Sequence, residues 1–154
     1  FRFVFIGDGP RKRFLRKRVE EESLQLVEFQ DAVAKKDIYS MLQKANACIL
    51  PLKPGSVFRH GISPNKMFDY MAAGRPVITA VDTPVNPVVD SAAGVSIPPG
   101  DPSALASAIR NMAALPADER IAMGERGRAL VMEHFNLNEL AERVDGALRG
   151  VVEA

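Results

Sequence analysis

The chain has 154 residues, 47% apolar and 25% charged, a composition that reads as one soluble globular domain with a substantial core rather than a disordered or fibrous chain. A formal net charge of +1 supplies no general attraction to nucleic acid, and a single cysteine, Cys48, excludes an internal disulfide and suits a reducing compartment. No stretch has the length needed to span a bilayer, no secretory signal pattern is present, and the start at Phe1, already within an apolar run, reads as a cut chain.

Phe1 to Ile6 is predicted as a strand and Arg11 to Glu22 as a charged helix. Leu24 to Phe29 alternates apolar and polar residues, as a strand does. Asp37 to Asn46 repeats apolar residues at helical spacing (Ile38, Met41, Leu42, Ala45), and Ala47 to Leu52 is a continuous apolar strand ended by Pro51 and Pro54. A long loop, Leu52 to Ile62, leads into a helix over Pro64 to Ala73, and Pro76 to Val81 reads as a buried strand. A short helix over Pro87 to Ser91 precedes a last strand, Gly94 to Ile97. Three further helices are predicted: Pro102 to Leu115, Pro116 to Glu133 and Leu137 to Val151. This alternation predicts an α/β fold, a doubly wound (Rossmann-like) parallel sheet with extra C-terminal helices. Ligands of such sheets bind at the carboxyl ends of the strands, so Gly7, the segment after Phe29 and the loop before Ser63 can line one cleft. The last helix carries Leu140, Val144, Leu148 and Val151 at helical spacing, and is expected to bury them on this domain or a neighbouring copy, or to be poorly ordered.

The most informative segment is His60 to Ile78, HGISPNKMFDYMAAGRPVI. Ser63 and Pro64 read as N-cap and first helical residue, and Gly74 and Pro76 as the stop. The helix N-terminus therefore opens onto the preceding loop, with unpaired N–H groups and the positive end of the dipole. Lys66 stands in the first turn, where a cation opposes that dipole unless an anion is bound. Asp69 follows three residues later on the same face, and at about 1.5 Å rise per residue lies roughly 9 Å beyond Ser63. That is the reach from a diphosphate at the helix tip to the hydroxyls of an attached ribose. Met67 and Met71 face the other way and read as core.

This segment resembles the signature of family 4 glycosyltransferases, two-domain enzymes of GT-B fold, and especially the bacterial branch acting on lipid-linked sugars. Phe5-Ile6-Gly7-Asp8-Gly9-Pro10 is similar to that family's strand-to-helix turn, and Gly94 to Asp101 (GVSIPPGD) to the end of its donor domain. The resemblance implies that the helix contacts the diphosphate of a nucleotide-sugar donor, with a UDP-sugar favoured, and that Asp69 binds the ribose. It implies a donor-binding set of Gly7, Gly61, Ile62, Ser63, Pro64, Asn65, Lys66 and Asp69. The wider family has a glutamate near the donor sugar where this chain has Gly61, and His60 is a candidate catalytic replacement or a loop histidine without a role. It also implies that residues 1–154 are part of a C-terminal donor domain, lacking its first strand and helix and the N-terminal acceptor domain that completes the enzyme in cis. The acceptor expected from the resemblance is a lipid-linked or polysaccharide precursor of the bacterial cell envelope. The expected location is the cytoplasm, at the inner face of the membrane, with a peripheral membrane contact and no nucleic acid partner.

Other residues carry two readings each. Gly7 and Gly9 could cradle phosphate through backbone N–H groups or simply serve a tight turn, while Asp8 is expected to cap the following helix. Arg11, Lys12, Arg13, Arg16, Lys17 and Arg18 could meet anionic lipid or form a solvated face offset by Glu20, Glu21 and Glu22. Arg59 is a further candidate for phosphate, His134 reads as structural, and Cys48 as a small core residue. No CxxC, HExxH or Asp-x-Asp pair provides metal ligands, and a cation-independent reaction is expected, with no cofactor. Two other classes remain: a GT-B epimerase or hydrolase acting on a nucleotide-sugar, and a non-catalytic nucleotide-binding module.

Overall fold

The computed structural model describes residues 1–152, which form two compact units divided after Ile38. In the first, β1 (Phe3–Ile6) pairs in parallel with β2 (Val27–Gln30) in the register Phe3 to Val27, and α1 (Lys12–Glu21) connects them. The second begins within α2 (Lys35–Leu42) and contains β3 (Cys48–Pro51), α3 (Asn65–Ala72), β4 (Val77–Ala80), α4 (Pro87–Asp90) and β5 (Gly94–Ile97). Three helices complete it: α5 (Pro102–Ala114), α6 (Ala117–His134) and α7 (Leu137–Val152). Every strand pair is parallel and every connection carries a helix, so the predicted α/β class holds. The strands hydrogen-bond as a pair, β1–β2, and a triplet, β3–β4–β5, where the sequence suggests one continuous sheet.

In the second unit the apolar pattern explains the layers. β4 (Val-Ile-Thr-Ala) is buried along its whole length, as a central parallel strand must be. Val77 and Val81 point to a core shared with Met67 and Met71 of α3, Val88 of α4 and Val131 of α6. Ile78 points to the opposite core, made with Ala108 and Met112 of α5. The buried polar residues Asn86 and Thr79 are hydrogen-bonded: Asn86 donates to the Thr79 hydroxyl at 3.0 Å and accepts the Val88 N–H. Met67 and Met71 have no exposed surface, so α3 is held by one face while its other face stays open. Gly124 and Gly127 on α6 allow the close approach: a Cβ at Gly124 would collide with the Gly74 carbonyl, and one at Gly127 would meet the Ala93 side chain.

Element ends differ from expectation for local reasons. The 24–26 stretch is a turn, closed by Leu24 N–H to the Val19 carbonyl and Val27 N–H to the Leu24 carbonyl, so β2 starts later than its alternation suggests. Residues 43–45 leave α2 because Lys44 and Ala45 bond three residues back rather than four. The last helix forms as predicted but does not bury its apolar stripe: Leu140, Val144, Leu148 and Val151 are all exposed. Burial pushes the Cys48 thiol up to about 12, consistent with an inert core residue.

Candidate functional site

The N-terminus of α3 differs in one respect from the sequence reading. Ser63 does not cap it; the cap position is Pro64, in an extended conformation at φ −75° and ψ 131°, and no side chain caps the helix. The helix begins one residue later than predicted because the Pro64 backbone has not yet turned. The starts of α4 and α5 make the contrast. Asn86 accepts the Val88 N–H there, and Asp101 accepts the N–H groups of Ser103 and Ala104. Those bonds, led by that from Ala104, hold the Asp101 carboxyl below the usual carboxylate range. At α3 the Met67 N–H bonds to the Pro64 carbonyl at 2.9 Å, and the N–H groups of Asn65 and Lys66 have no acceptor within the helix.

The side chains at this end are exposed. Ser63, Asn65, Lys66 and Asp69 all face solvent. Among the described residues Lys66 and Asp69 have no ion-pair partner and do not pair with each other, despite sitting three residues apart. Ile62 is buried in the core beneath and anchors the approach to the helix. The far end closes as predicted: Gly74 takes φ +66°, its N–H bonding to the Met71 carbonyl and that of Arg75 to the Tyr70 carbonyl.

Gly61 and its neighbours change the reading of the loop. Gly61 has φ +130°, a conformation that glycine adopts freely and side-chain-bearing residues do not, with Val85 packed against it. Its identity is thus demanded by the backbone, and a glutamate would be strained there. Gly61→Glu is expected to lower the urea midpoint of unfolding by an amount equivalent to about 1–3 kcal/mol; an unchanged midpoint would mean that the loop adapts freely. His60 and Arg59 engage each other, with Arg59 Nε donating to His60 Nε2 at 3.0 Å. In this arrangement His60 Nε2 is an acceptor, and the Arg59 Nε–H is not free for phosphate.

In the first unit Gly7 has φ +131° and donates its N–H to the Gln30 carbonyl at 3.2 Å, leaving the N–H groups of Asp8 and Gly9 without a hydrogen bond among the described residues. Asp8 does not cap α1, whose cap position is Arg11 without a side-chain bond. Its carboxylate instead accepts from Lys12 and from the Ala32 N–H, and Lys12 holds it below its ordinary range. Part of the basic helix is neutralised by its neighbours: Lys17 pairs with Glu21, Arg18 with Glu22, and Lys12 with Asp8 and Asp31. Gly7 and the 60–69 segment belong to different units, and each is placed here within its own. Sequence reasoning missed a hollow of about 510 Å³ at the carboxyl ends of β4 and β5, lined by apolar residues such as Val81, Val89 and Ile97 together with Asp82, Thr83 and Ser96. No three His, Cys, Asp or Glu side chains among the described residues are grouped as a metal site.

These features belong to a known class. The chain is a member of the glycosyl transferases group 1 family, whose model matches residues 1–114. Among individual proteins it is similar to WcaL of Escherichia coli (strain K12), named for a glycosyltransferase role in colanic acid biosynthesis, at 28% identity over 138 residues. It is also similar to WcaL of Salmonella typhimurium, at 25% identity over 153 residues. The matches take in 88% and 98% of this chain but 34% and 38% of those proteins, so the chain spans little more than a third of their length. In fold it is similar to sucrose-phosphate synthase from Thermosynechococcus elongatus, with a TM-score of 0.78 at 23% identity over 97% of this chain and 38% of the other. A glycosyltransferase from Rickettsia africae matches with a TM-score of 0.75 at 18% identity, over 99% and 40% of the two chains. No described helix is long and apolar enough to cross a membrane.

Proposed function

We propose that this chain is the donor-binding part of a glycosyltransferase that moves a sugar from a nucleotide-diphosphate sugar to an acceptor. The observation that carries the reading is the uncapped start of α3, where two backbone donors and the unpaired Lys66 converge in a member of this family. The diphosphate sits on the Asn65 and Lys66 N–H groups with the Lys66 ammonium beside it, and Asp69 receives the ribose hydroxyls one turn further along. Ser63, Pro64 and Ile62 set the helix entrance, and Gly61 gives the loop its path. As the glycosidic bond breaks, negative charge grows on the departing diphosphate. N–H dipoles and Lys66 stabilise that charge without a resident metal ion. His60 is retained as the candidate group nearest the donor sugar.

The donor is a UDP-sugar in this reading. The acceptor is a lipid-linked or polysaccharide precursor of the bacterial envelope, a reading that the colanic acid biosynthesis in the names of the WcaL relatives supports, and it is met at the cytoplasmic face of the membrane. Both substrates must be held together for transfer, so the complete protein is the species to assay. Calorimetric titration of UDP, GDP and ADP, followed by assay of the complete protein with the corresponding sugar nucleotides, tests the proposal. Binding and transfer support it. Hydrolysis without an acceptor would favour a hydrolase, and donor binding without transfer a non-catalytic module.

A further inference from the structure

The hollow at the carboxyl ends of β4 and β5 lies wholly within the second unit and has no role in the diphosphate contacts at α3. Its volume of about 510 Å³ falls within the roughly 300–1,000 Å³ of small-molecule sites. Parallel α/β sheets take their ligands at this end of the strands. The frame of the hollow is already fixed. The Val81 N–H bonds to the Ile97 carbonyl at 3.0 Å, Ser96 Oγ donates to the Val81 carbonyl at 3.0 Å, and buried Asn86 spends its side chain on Thr79 and Val88. Binding there needs little ordering of the protein.

The polar side chains of the lining offer acceptors. Asp82 is exposed and has no hydrogen-bond or ion-pair partner among the described residues. Thr83 gives its hydroxyl proton to the Val85 carbonyl at 3.3 Å and Ser96 gives its own to Val81, so both oxygens keep only lone pairs for a ligand. Asp90 takes the Asn86 N–H on one carboxylate oxygen and leaves the other. Pro84, Pro98 and Pro99 have no N–H to give. Two carboxylates and no Lys, Arg or His border the hollow, which disfavours phosphate. The prolines and Val89 add aliphatic wall. A ligand for this lining must donate several hydrogen bonds, carry no negative charge and present C–H surface. A pyranose meets all three conditions.

We infer that this hollow is a carbohydrate subsite, in which Asp82, with Thr83 and Ser96, accepts hydrogen bonds from the hydroxyls of an uncharged sugar whose C–H face lies on the prolines and Val89. The source of that sugar, the donor's glycosyl group or the acceptor's terminal residue, rests on the transferase reading above. The subsite adjoins the segment that leads into α3: Val85, next to Pro84, has its Cβ 3.5 Å from where a side chain at Gly61 would begin. Charge divides the two places, with anions drawn to Lys66 and hydroxyls to Asp82.

The test titrates the complete protein with the methyl glycosides of glucose, galactose and mannose, followed by amide NMR. At least one is expected to bind at millimolar concentration, with the largest shifts at Asp82, Thr83, Ser96 and Ile97. Asp82→Ala is expected to weaken that binding roughly 10-fold or more, the loss of a hydrogen bond to a charged group, with melting near wild type. Val89→Trp, which fills the hollow from an exposed position on α4, is expected to abolish it. Should Asp82→Ala fail to fold, Val89→Trp decides. Calorimetry with UDP-glucose, UDP-galactose and GDP-mannose, against UDP and GDP, separates the two sources. Loss of sugar-nucleotide affinity in Asp82→Ala, with UDP and GDP unchanged, assigns the donor's sugar; loss of glycoside binding alone assigns the acceptor's. The inference is overturned by a wild type without glycoside shifts at these residues, by glycoside binding indifferent to both variants, or by equal loss of UDP and UDP-sugar affinity. A stronger response to ethylammonium than to every glycoside overturns it too, in favour of a cation. Glycoside binding without any nucleotide binding overturns the donor-binding reading alone, and nucleotide binding with a silent hollow removes this inference alone.

Discussion

Replacing Asp69 with alanine is expected to weaken nucleoside diphosphate binding about 10- to 150-fold while leaving the melting temperature near that of the wild type. The loss corresponds to roughly 1.5–3 kcal/mol, the worth of a hydrogen bond to a charged group. Three features of α3 make the effect separable from folding. Asp69 is exposed and has no partner among the described residues, so its removal breaks nothing in the unbound protein. The helix is fixed by fully buried Met67 and Met71 on its opposite side. It also closes independently at Gly74. Calorimetric titration with UDP reads the change, and equal affinity in the mutant and the wild type would remove Asp69 from the site.

What the sequence made legible follows from how local each signal is. Pro87 and Pro102 one residue after Asn86 and Asp101 announce the starts of α4 and α5, since an N-cap side chain reaches only two or three residues ahead. Gly74 announces the end of α3 because only glycine adopts its φ cheaply. The unbroken apolar run of β4 announces a strand covered on both faces. The miss at Ser63 has the same local scale: a serine before a proline looks like a cap, yet the extended Pro64 backbone puts the cap one residue on.

The rest depends on groups distant in sequence or on backbone angles that composition does not encode. The Asp8–Lys12 spacing of four residues hints at a pair. Asp31, nineteen residues from Lys12, comes within 2.6 Å only once β1 and β2 have paired. The departure at Gly61 reads as a lost acid in the sequence and as a backbone requirement at φ +130° in the structure. Likewise Gly124 looks like a weak point within α6 until the Gly74 carbonyl is seen against it. Helix α3 was thus readable in outline, while the devices that hold its surroundings were not.

The last expected result concerns charge at the α3 N-terminus. Sulfate, phosphate or UDP is expected to bind there, with the largest amide NMR shifts at residues 63–66. Lys66→Glu is expected to weaken UDP binding roughly 30-fold at low salt. Two unit charges 4 Å apart in water interact by about 1 kcal/mol, so reversing the sign removes about 2 kcal/mol. Lys66 is the appropriate probe because it is exposed and has no ion-pair partner among the described residues. Lys17→Glu, which removes a lysine already paired with Glu21 in the first unit, is the control and is expected to leave affinity nearly unchanged. Salt supplies the second axis. Screening shortens from about 10 Å at 0.1 M to about 3 Å at 1 M, so binding to the wild type should fall with salt and the gap to Lys66→Glu should narrow. The backbone contribution persists in both proteins, because the N–H groups of Asn65 and Lys66 remain without a cap. Shifts centred on residues 11–18 with residues 63–66 silent would move the anion site to α1, and with it the foundation of the donor-binding reading.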